Sequence, residues 1–314
     1  MSPLSTLLML IAAALLLFAV VIVYFFRFAH HRNDKVTDQM LAADVRLAYK
    51  DMITTGLAYV DTHEHEEVSI TSFDGLTLRG TYLPIPNARA TIICFHGYRA
   101  VGLQDFAPMP EYYQSLGLNV LIVDQRACGK SDGKYTSFGI LERRDVLSWA
   151  QYMDERLGGM PLILDGLSMG AASVMLAADL PLPNSVRGII ADCGFTSPWE
   201  IIAHCGKQWF HIPAFPMVHL LSAIAHLRFG GGYRSCSTLN SLANSTIPLL
   251  LLHGADDDFV PTYMSEENFK ASAAALKRKL IVPGAGHGMS YLVDQKRCQE
   301  ELSNFVDDVL KLEV

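Results

Sequence analysis

No run of lysine or arginine in the sequence offers a phosphate-binding stripe, and over its 314 residues the net charge is −7. A phosphate-tracking surface needs clustered cations, so this balance argues against nucleic acid as a partner. No cysteine–histidine group has zinc-site spacing. His63-Glu64-His65-Glu66-Glu67 lacks the His-x-x-x-His separation that puts two ligands on one helix face. It reads as a solvated charged segment, and no metal is expected. Six cysteines scattered through a chain of this length make no disulfide framework. Cys94 and Cys193 sit in apolar runs and read as buried free thiols. Cys205 and Cys236 fall in an irregular region, where a pairing stays open. No internal repeat is visible.

The most local absence is charge between residues 4 and 26. As a helix this stretch reaches about 34 Å, enough to cross a hydrocarbon core of about 30 Å. A secretory signal peptide predicts instead a basic start, a shorter apolar core and a small-residue cleavage site. Met1-Ser2-Pro3-Leu4-Ser5-Thr6 has no cation, Ala12-Ala13-Ala14 lies inside the apolar run, and Tyr24-Phe25-Phe26-Arg27-Phe28 suits an aromatic interface belt. The expectation is an uncleaved transmembrane anchor over residues 1–30. Arg27, Arg32, Lys35, Arg46 and Lys50 follow the span, so the positive-inside rule points to a cytoplasmic body. An extracytoplasmic body on the same anchor stays open as the alternative.

Half the residues are apolar, enough for one large core. After a polar, partly helical connector (31–67), residues 68–73 and 76–83 alternate around Asp74-Gly75, the pattern of a hairpin with a two-residue turn. Apolar strand runs then alternate with helical patterns. The strands are expected at 91–95, 120–123, 161–164, 186–191, 248–252 and 279–282, and helices near 106–116, 140–156, 171–178 and 304–312. This order predicts an α/β fold with a mostly parallel sheet covered on both faces. Ligands in such sheets bind beyond the carboxyl ends of the strands, so reactive residues are expected just after strand runs.

Gly166-Leu167-Ser168-Met169-Gly170 stands at such a place, between a buried strand and a small-residue helix start. There the pattern is a nucleophile elbow, with glycines permitting a tight turn that exposes the Ser168 hydroxyl. A serine hydroxyl needs a base, an orienting acid and an oxyanion site. On such an elbow the acid and then the base follow the serine in the chain. His287, in Pro283-Gly284-Ala285-Gly286-His287-Gly288 after the last strand, is the candidate base. His253, before Gly254, reads as shaping its turn. Asp256, Asp257 and Asp258 compete as the acid. Spacing to Val260-Pro261 favours Asp257, with Asp192 at another strand end as the alternative. The expected oxyanion donors are the backbone N–H groups of Met169 and Tyr98, the latter in His96-Gly97-Tyr98; His96 itself reads as structural.

Between residues 196 and 245 the alternation breaks, over a span too long for a plain connection. A helical cap insertion is expected there. Its Trp199, Trp209, Phe210, Phe215, Met217 and Phe229 either line an acyl pocket or only pack the cap onto the body.

With these pieces, the chain from about residue 68 to the C-terminus resembles the α/β-hydrolase superfamily, in particular its bacterial esterase-like and prolyl-oligopeptidase-like branch. The resemblance rests on Phe95-His96-Gly97-Tyr98, Asp124-Gln125-Arg126-Ala127-Cys128-Gly129-Lys130-Ser131, the elbow, Asp192-Cys193-Gly194-Phe195-Thr196, the segment from His253-Gly254 to Val260-Pro261, and Gly286-His287. Cys128 departs from the small or polar residue usual there. The resemblance implies an α/β-hydrolase fold over 68–314, hydrolysis through an acyl-enzyme on Ser168, structural roles for Asp124 and Arg126, and no cofactor. The expected substrate is a small-molecule or lipid-like acyl compound: a carboxylic ester or thioester first, a monoacylglycerol or peptide as alternatives. A non-catalytic tethered binding protein is the reading from another class.

Overall fold

The computed structural model describes residues 2–33 and 47–312. Lys35, Arg46 and residues 34–46 of the expected connector lie outside the described residues. The chain begins with α1 (Pro3–His30), a 28-residue helix with Ser2 as N-cap and Pro3 in its first turn. A second helix, α2 (Lys50–Thr62), precedes the sheet.

Eight strands form one sheet in the order β1-β2-β4-β3-β5-β6-β7-β8. They are β1 (Glu66–Thr71), β2 (Thr77–Leu83), β3 (Ala90–Phe95), β4 (Leu118–Asp124), β5 (Leu162–Leu167), β6 (Val186–Asp192), β7 (Leu249–Gly254) and β8 (Lys277–Val282). β1 and β2 are antiparallel at one edge, and β3 to β8 run parallel. Both faces of the central parallel strands are covered, which is why β3 and β7 are apolar runs rather than alternating, whereas the edge strand β8 opens on Lys277, Arg278 and Lys279. In β3, Ile92 and Cys94 face the cluster completed by Tyr113, Leu302 and Phe305, while Ile93 and Phe95 face the cluster holding Trp149, Val174 and Met175. The expected mostly parallel α/β fold is therefore the fold of this chain.

Local expectations need three corrections. The hairpin turn is longer than two residues: the last strand pair is Thr71–Thr77, and Ser72 N–H reaches the Leu76 carbonyl. The Asp74 carboxylate is drawn onto Arg126 at 2.9 and 3.1 Å, so the turn is shaped by a distant cation as well as by Gly75 at φ 88°. The helix expected near 106–116 is two short ones, α3 (Gly102–Phe106) and α4 (Pro110–Ser115), because Pro108 and Pro110 interrupt it. The last helix starts at Gln295, well before residue 304, capped by the Asp294 side chain on Arg297 N–H. Cys205 and Cys236 are both free thiols, Cys236 buried beside Tyr233 and Trp199 and Cys205 packed in a different cluster beside Ile201.

Helices α5 (Glu142–Arg156) and α6 (Met169–Ala177) pack on one face. Between β6 and β7 lie α7 (Pro198–Phe210), α8 (Ala214–Phe229) and α9 (Thr238–Ala243). After β7 come α10 (Tyr263–Ala271), α11 (Ser290–Val293) and α12 (Gln295–Lys311). α1 is not a detached stem. Its first turns are exposed, but Ile22, Phe26 and His30 are buried in one cluster with Val218, Leu221 and Tyr233. His30 Nδ1 donates to the Thr136 carbonyl at 2.7 Å, leaving Nε2 to accept from the Tyr233 hydroxyl at 2.6 Å.

Candidate active site

Ser168 sits between β5 and α6 at φ 55° and ψ −111°, a strained conformation for a residue with a side chain. The turn is enforced by what its glycines approach. A Cβ on Gly166 would lie 2.4 Å from the Gly170 carbonyl, and one on Gly170 would lie 1.8 Å from the Phe95 carbonyl oxygen. Ser168 N–H donates to the Asp192 carbonyl at 2.8 Å, which ties the elbow to the end of β6.

The His287 imidazole reaches Ser168 from the loop after β8. Nε2 lies 2.8 Å from Ser168 Oγ, and Nδ1 lies 2.8 Å from Asp257 Oδ2. Since the carboxylate only accepts, Nδ1 carries the proton and Nε2 faces the serine hydroxyl as acceptor. Of the three aspartates after β7, Asp256 and Asp258 are exposed and Asp257 is buried. Its other oxygen accepts the N–H groups of Phe259 at 2.9 Å and Val260 at 2.8 Å. Burial pushes the Asp257 carboxyl up, but hydrogen bonds from His253 and His287, the charge of His287 and the Val260 N–H outweigh it. The carboxyl is held well below the usual range. Asp192 is bonded to Ser290 Oγ at 2.9 Å instead.

His253 does more than shape its turn. Fully buried, it places Nε2 3.2 Å from Asp257 Oδ2 and 2.8 Å from the Val260 carbonyl, and Nδ1 2.6 Å from Ser265 Oγ. Burial lowers its pKa, yet the bond to Asp257 and that carboxylate's charge raise it further, so the net direction is upward. The signal was its place four residues before Asp257, with a strand end between them. Phe259 is the other residue that sequence reasoning passed over: its ring lies 4.6 Å from that of His287 and packs on Trp209 at 4.8 Å.

Met169 heads α6, where a backbone N–H has no intrahelical acceptor. The loop carrying Tyr98 runs beside the serine: a Cβ on Gly97 would lie 3.4 Å from Ser168 Cβ. That loop is held by Asp105 Oδ2, which accepts Gly97 N–H at 2.8 Å, and by His96 Nε2, which accepts Gln125 N–H at 2.9 Å. Asp124 accepts the N–H groups of Gly102 and Lys130, and Arg126, almost fully buried, joins Asp145 to Asp74. Among the described residues, the group Cys193, Asp257 and His287 has ligand atoms close enough for a metal ion. Both His287 nitrogens are already engaged there, so this is the same site rather than a second one.

An apolar cleft shares Tyr98 and Phe259 with the surroundings of the triad, while Ser168, Asp257 and His287 are not among its lining residues; it encloses about 680 Å³ of empty space with its mouth included. Tyr98 and Phe259 form its inner wall, so it begins at the loops that hold the oxyanion candidate and Asp257. Ile201, Cys205 and Trp209 of α7, Leu221 of α8 and Phe28 of α1 complete it. Of the aromatics expected in the inserted helices, Trp209 and Phe210 line the cleft, as does Met217. Trp199 packs on His219, and Phe229 on Phe26. A second cleft, of about 620 Å³, lies behind the elbow and contains Asp165, which burial pushes up to about 7 against a 2.5 Å bond from the Tyr113 hydroxyl.

Residues 90–215 match the family model described as alpha/beta hydrolase fold. Protein YfhR of Escherichia coli (strain K12) is 30% identical over 238 residues, covering 72% of this chain and 75% of that protein. Protein YqkD of Bacillus subtilis (strain 168) is 28% identical over 241 residues, 76% of this chain and 78% of the other. Among solved structures, the Pyrococcus furiosus esterase Pf2001 superposes with a TM-score of 0.64 at 23% identity, over 79% of this chain and 92% of that one. Est1E from Butyrivibrio proteoclasticus, with ferulic acid bound, gives 0.62 at 18% identity, over 78% and 100%.

Proposed function

The chain belongs to the α/β-hydrolase superfamily, and we propose that it is a membrane-anchored serine hydrolase that cleaves a carboxylic ester, or a thioester, through an acyl-enzyme. One observation carries the reading: the unbroken hydrogen-bond chain Ser168 Oγ, His287, Asp257, with both links at 2.8 Å. His287 Nε2 takes the hydroxyl proton as Oγ bonds to the acyl carbon. The N–H groups of Met169 and Tyr98 receive the oxyanion, a contribution of about 3–4 kcal/mol per donor in comparable sites. The bond to the leaving oxygen or sulfur then breaks, and that atom departs with the proton held by His287. Water adds by the reverse steps, releasing the acid and free Ser168. Asp257 holds the Nδ1–H tautomer and stabilises the imidazolium.

An anchor reading of α1 is supported by a mean hydropathy of 3.1 over an 18-residue window that has no buried residue. A signal peptide removed at its end would take with it the buried His30 and Phe26, leaving the Tyr233 hydroxyl without its partner. Arg27, Arg32 and Lys50 beyond the span support a cytoplasmic body. The peptidase alternative is less well supported, because no residue lining the cleft is charged and a peptide amino terminus would find no counter-ion there. The full chain in detergent should react with a fluorophosphonate probe, and Ser168→Ala should abolish both labelling and ester turnover while leaving the melting temperature within a few degrees. Turnover that survives Ser168→Ala would sink the mechanism.

A further inference from the structure

The cleft that reaches the triad's neighbours Tyr98 and Phe259 is not built by the body alone: Phe25, Phe28 and Ala29 of α1 form one of its walls. This wall is fixed in place. The rings of Phe25 and Phe28 meet Phe210 edge-on at 5.3 and 5.7 Å. The Tyr98 hydroxyl donates to the Ala29 carbonyl at 2.6 Å, while its ring stacks on Phe138 at 5.0 Å. Arg99 also bonds to the Phe28 carbonyl. Just past the wall, the Arg32 guanidinium donates to the carbonyls of Ser131 at 2.7 Å and Gly129 at 2.6 Å. Tyr98 therefore links α1 directly to the loop beside the serine.

The same end of α1 marks a depth. If the exposed apolar turns upstream fill the hydrocarbon layer, the stretch from Tyr24 to His30 lies at the headgroup level, where aromatic rings concentrate. The inserted helices add exposed apolar surface of their own: Phe215 is 74% exposed and Leu227 85%, and Trp209 is half exposed at the cleft itself. A cleft of this size, without a charged lining residue, placed at that level, is shaped for an apolar chain that already resides in the bilayer.

Resting on the serine-hydrolase reading, we propose that the membrane helix is itself part of the substrate site, and that the substrate is a single-chain lipid ester. Its acyl chain lies along Phe25, Phe28 and Ala29 from the bilayer side, with the ester carbonyl at Ser168. The helix is thus a specificity element as well as a tether.

The test uses the full chain in detergent or nanodiscs, with p-nitrophenyl acetate and decanoate, and with monodecanoylglycerol carried in phosphatidylcholine vesicles. The readout is the decanoate-to-acetate ratio of kcat/KM. Phe28→Ala removes half a wall and should lower that ratio about three- to tenfold, while Ala29→Phe fills the cleft and should lower it further. Leu15→Ala, on the exposed part of the same helix, should keep the wild-type ratio. The wild type should also release decanoate from the vesicles. Ratios within twofold of wild type in both cleft variants, or a wild type with no preference for the longer chain, would overturn the inference while fluorophosphonate labelling persists. Absence of labelling in the wild type would instead overturn the hydrolase reading on which it rests.

Discussion

An alanine at position 170 is the sharpest probe of how the fold creates this site. The new Cβ would meet only backbone: the Phe95 carbonyl oxygen at 1.8 Å, its carbon at 2.5 Å and the His96 carbonyl oxygen at 2.7 Å. No rotamer change relieves such a clash, so α6 must move away from the end of β3 by about 1.2 Å to reach a contact of about 3.0 Å. Ser168 and Met169 ride on one side of that gap, and the loop of Gly97 and Tyr98 on the other. Opening it pulls the two proposed oxyanion donors apart. Misplacement by about 1 Å costs on the order of 10²-fold in rate, and overpacking costs about 1–3 kcal/mol. Gly170→Ala should therefore lose about a hundredfold in fluorophosphonate labelling rate and melt several degrees lower. Gly286→Ala is the comparison: it adjoins His287, yet a Cβ there meets nothing within 4 Å and its φ is ordinary, so its labelling should stay within about twofold. A Gly170→Ala chain that labels and melts like wild type would refute the steric account of the elbow.

Two further outcomes concern stability. Arg126 is 2% exposed and binds Asp145 at 2.6 and 2.7 Å as well as Asp74, so Arg126→Leu strands a buried carboxylate and should cost about 3–5 kcal/mol. Arg126→Lys should recover only part of this, because a point charge cannot span both carboxylates; thermal unfolding in detergent decides, and an unchanged melting point in the leucine variant would count against it. The second outcome is pH dependence. Asp257 is held below its usual value of 3.8, so its stabilisation is complete well above that pH and fades as pH falls through the lowered value. His253 is held above its usual 6.5, so its contribution is complete below that pH and fades as pH rises through the raised value. The wild-type melting point should thus decline above pH 6.5, and His253→Gln should flatten that decline; parallel curves for the two chains would reject the assignment.

Where the physics is local, the sequence could be read closely. The elbow is a five-residue steric problem, and its glycines are visible without knowing what they touch. Residues 168, 257 and 287 come together because parallel strands with right-handed crossovers put all their carboxyl ends on one edge. Position after a strand run brought Ser168 and His287 forward as candidates but left three aspartates competing after β7; spacing to Val260-Pro261 favoured Asp257, and burial separates it from the exposed Asp256 and Asp258. Pro108 and Pro110 also announce the break near residue 106, but the helical pattern over 106–116 predicts one helix where there are two. The start of α12 was harder: its buried stripe of Cys298, Leu302, Phe305 and Val309 keeps helical spacing, but charged neighbours dominate its first two turns.

What stayed hidden depends on contacts with no local signature. A helix apolar on all sides gives no hint of which side meets protein and which meets lipid. The one clue in α1 is at its end, where His30 and His31 follow an apolar run that needs neither. A histidine there is stable when its two nitrogens find partners, and those come from Thr136 and Tyr233, more than a hundred residues away. The inserted helices carry the same ambiguity, because an aromatic that lines a cleft and one that fills a core look alike in a sequence. Phe210 shows why: it packs against Phe25 and Phe28 and faces the cleft at once. Its double role exists only because α1 returns to the body, so the cleft and α1 have to be understood as one structure.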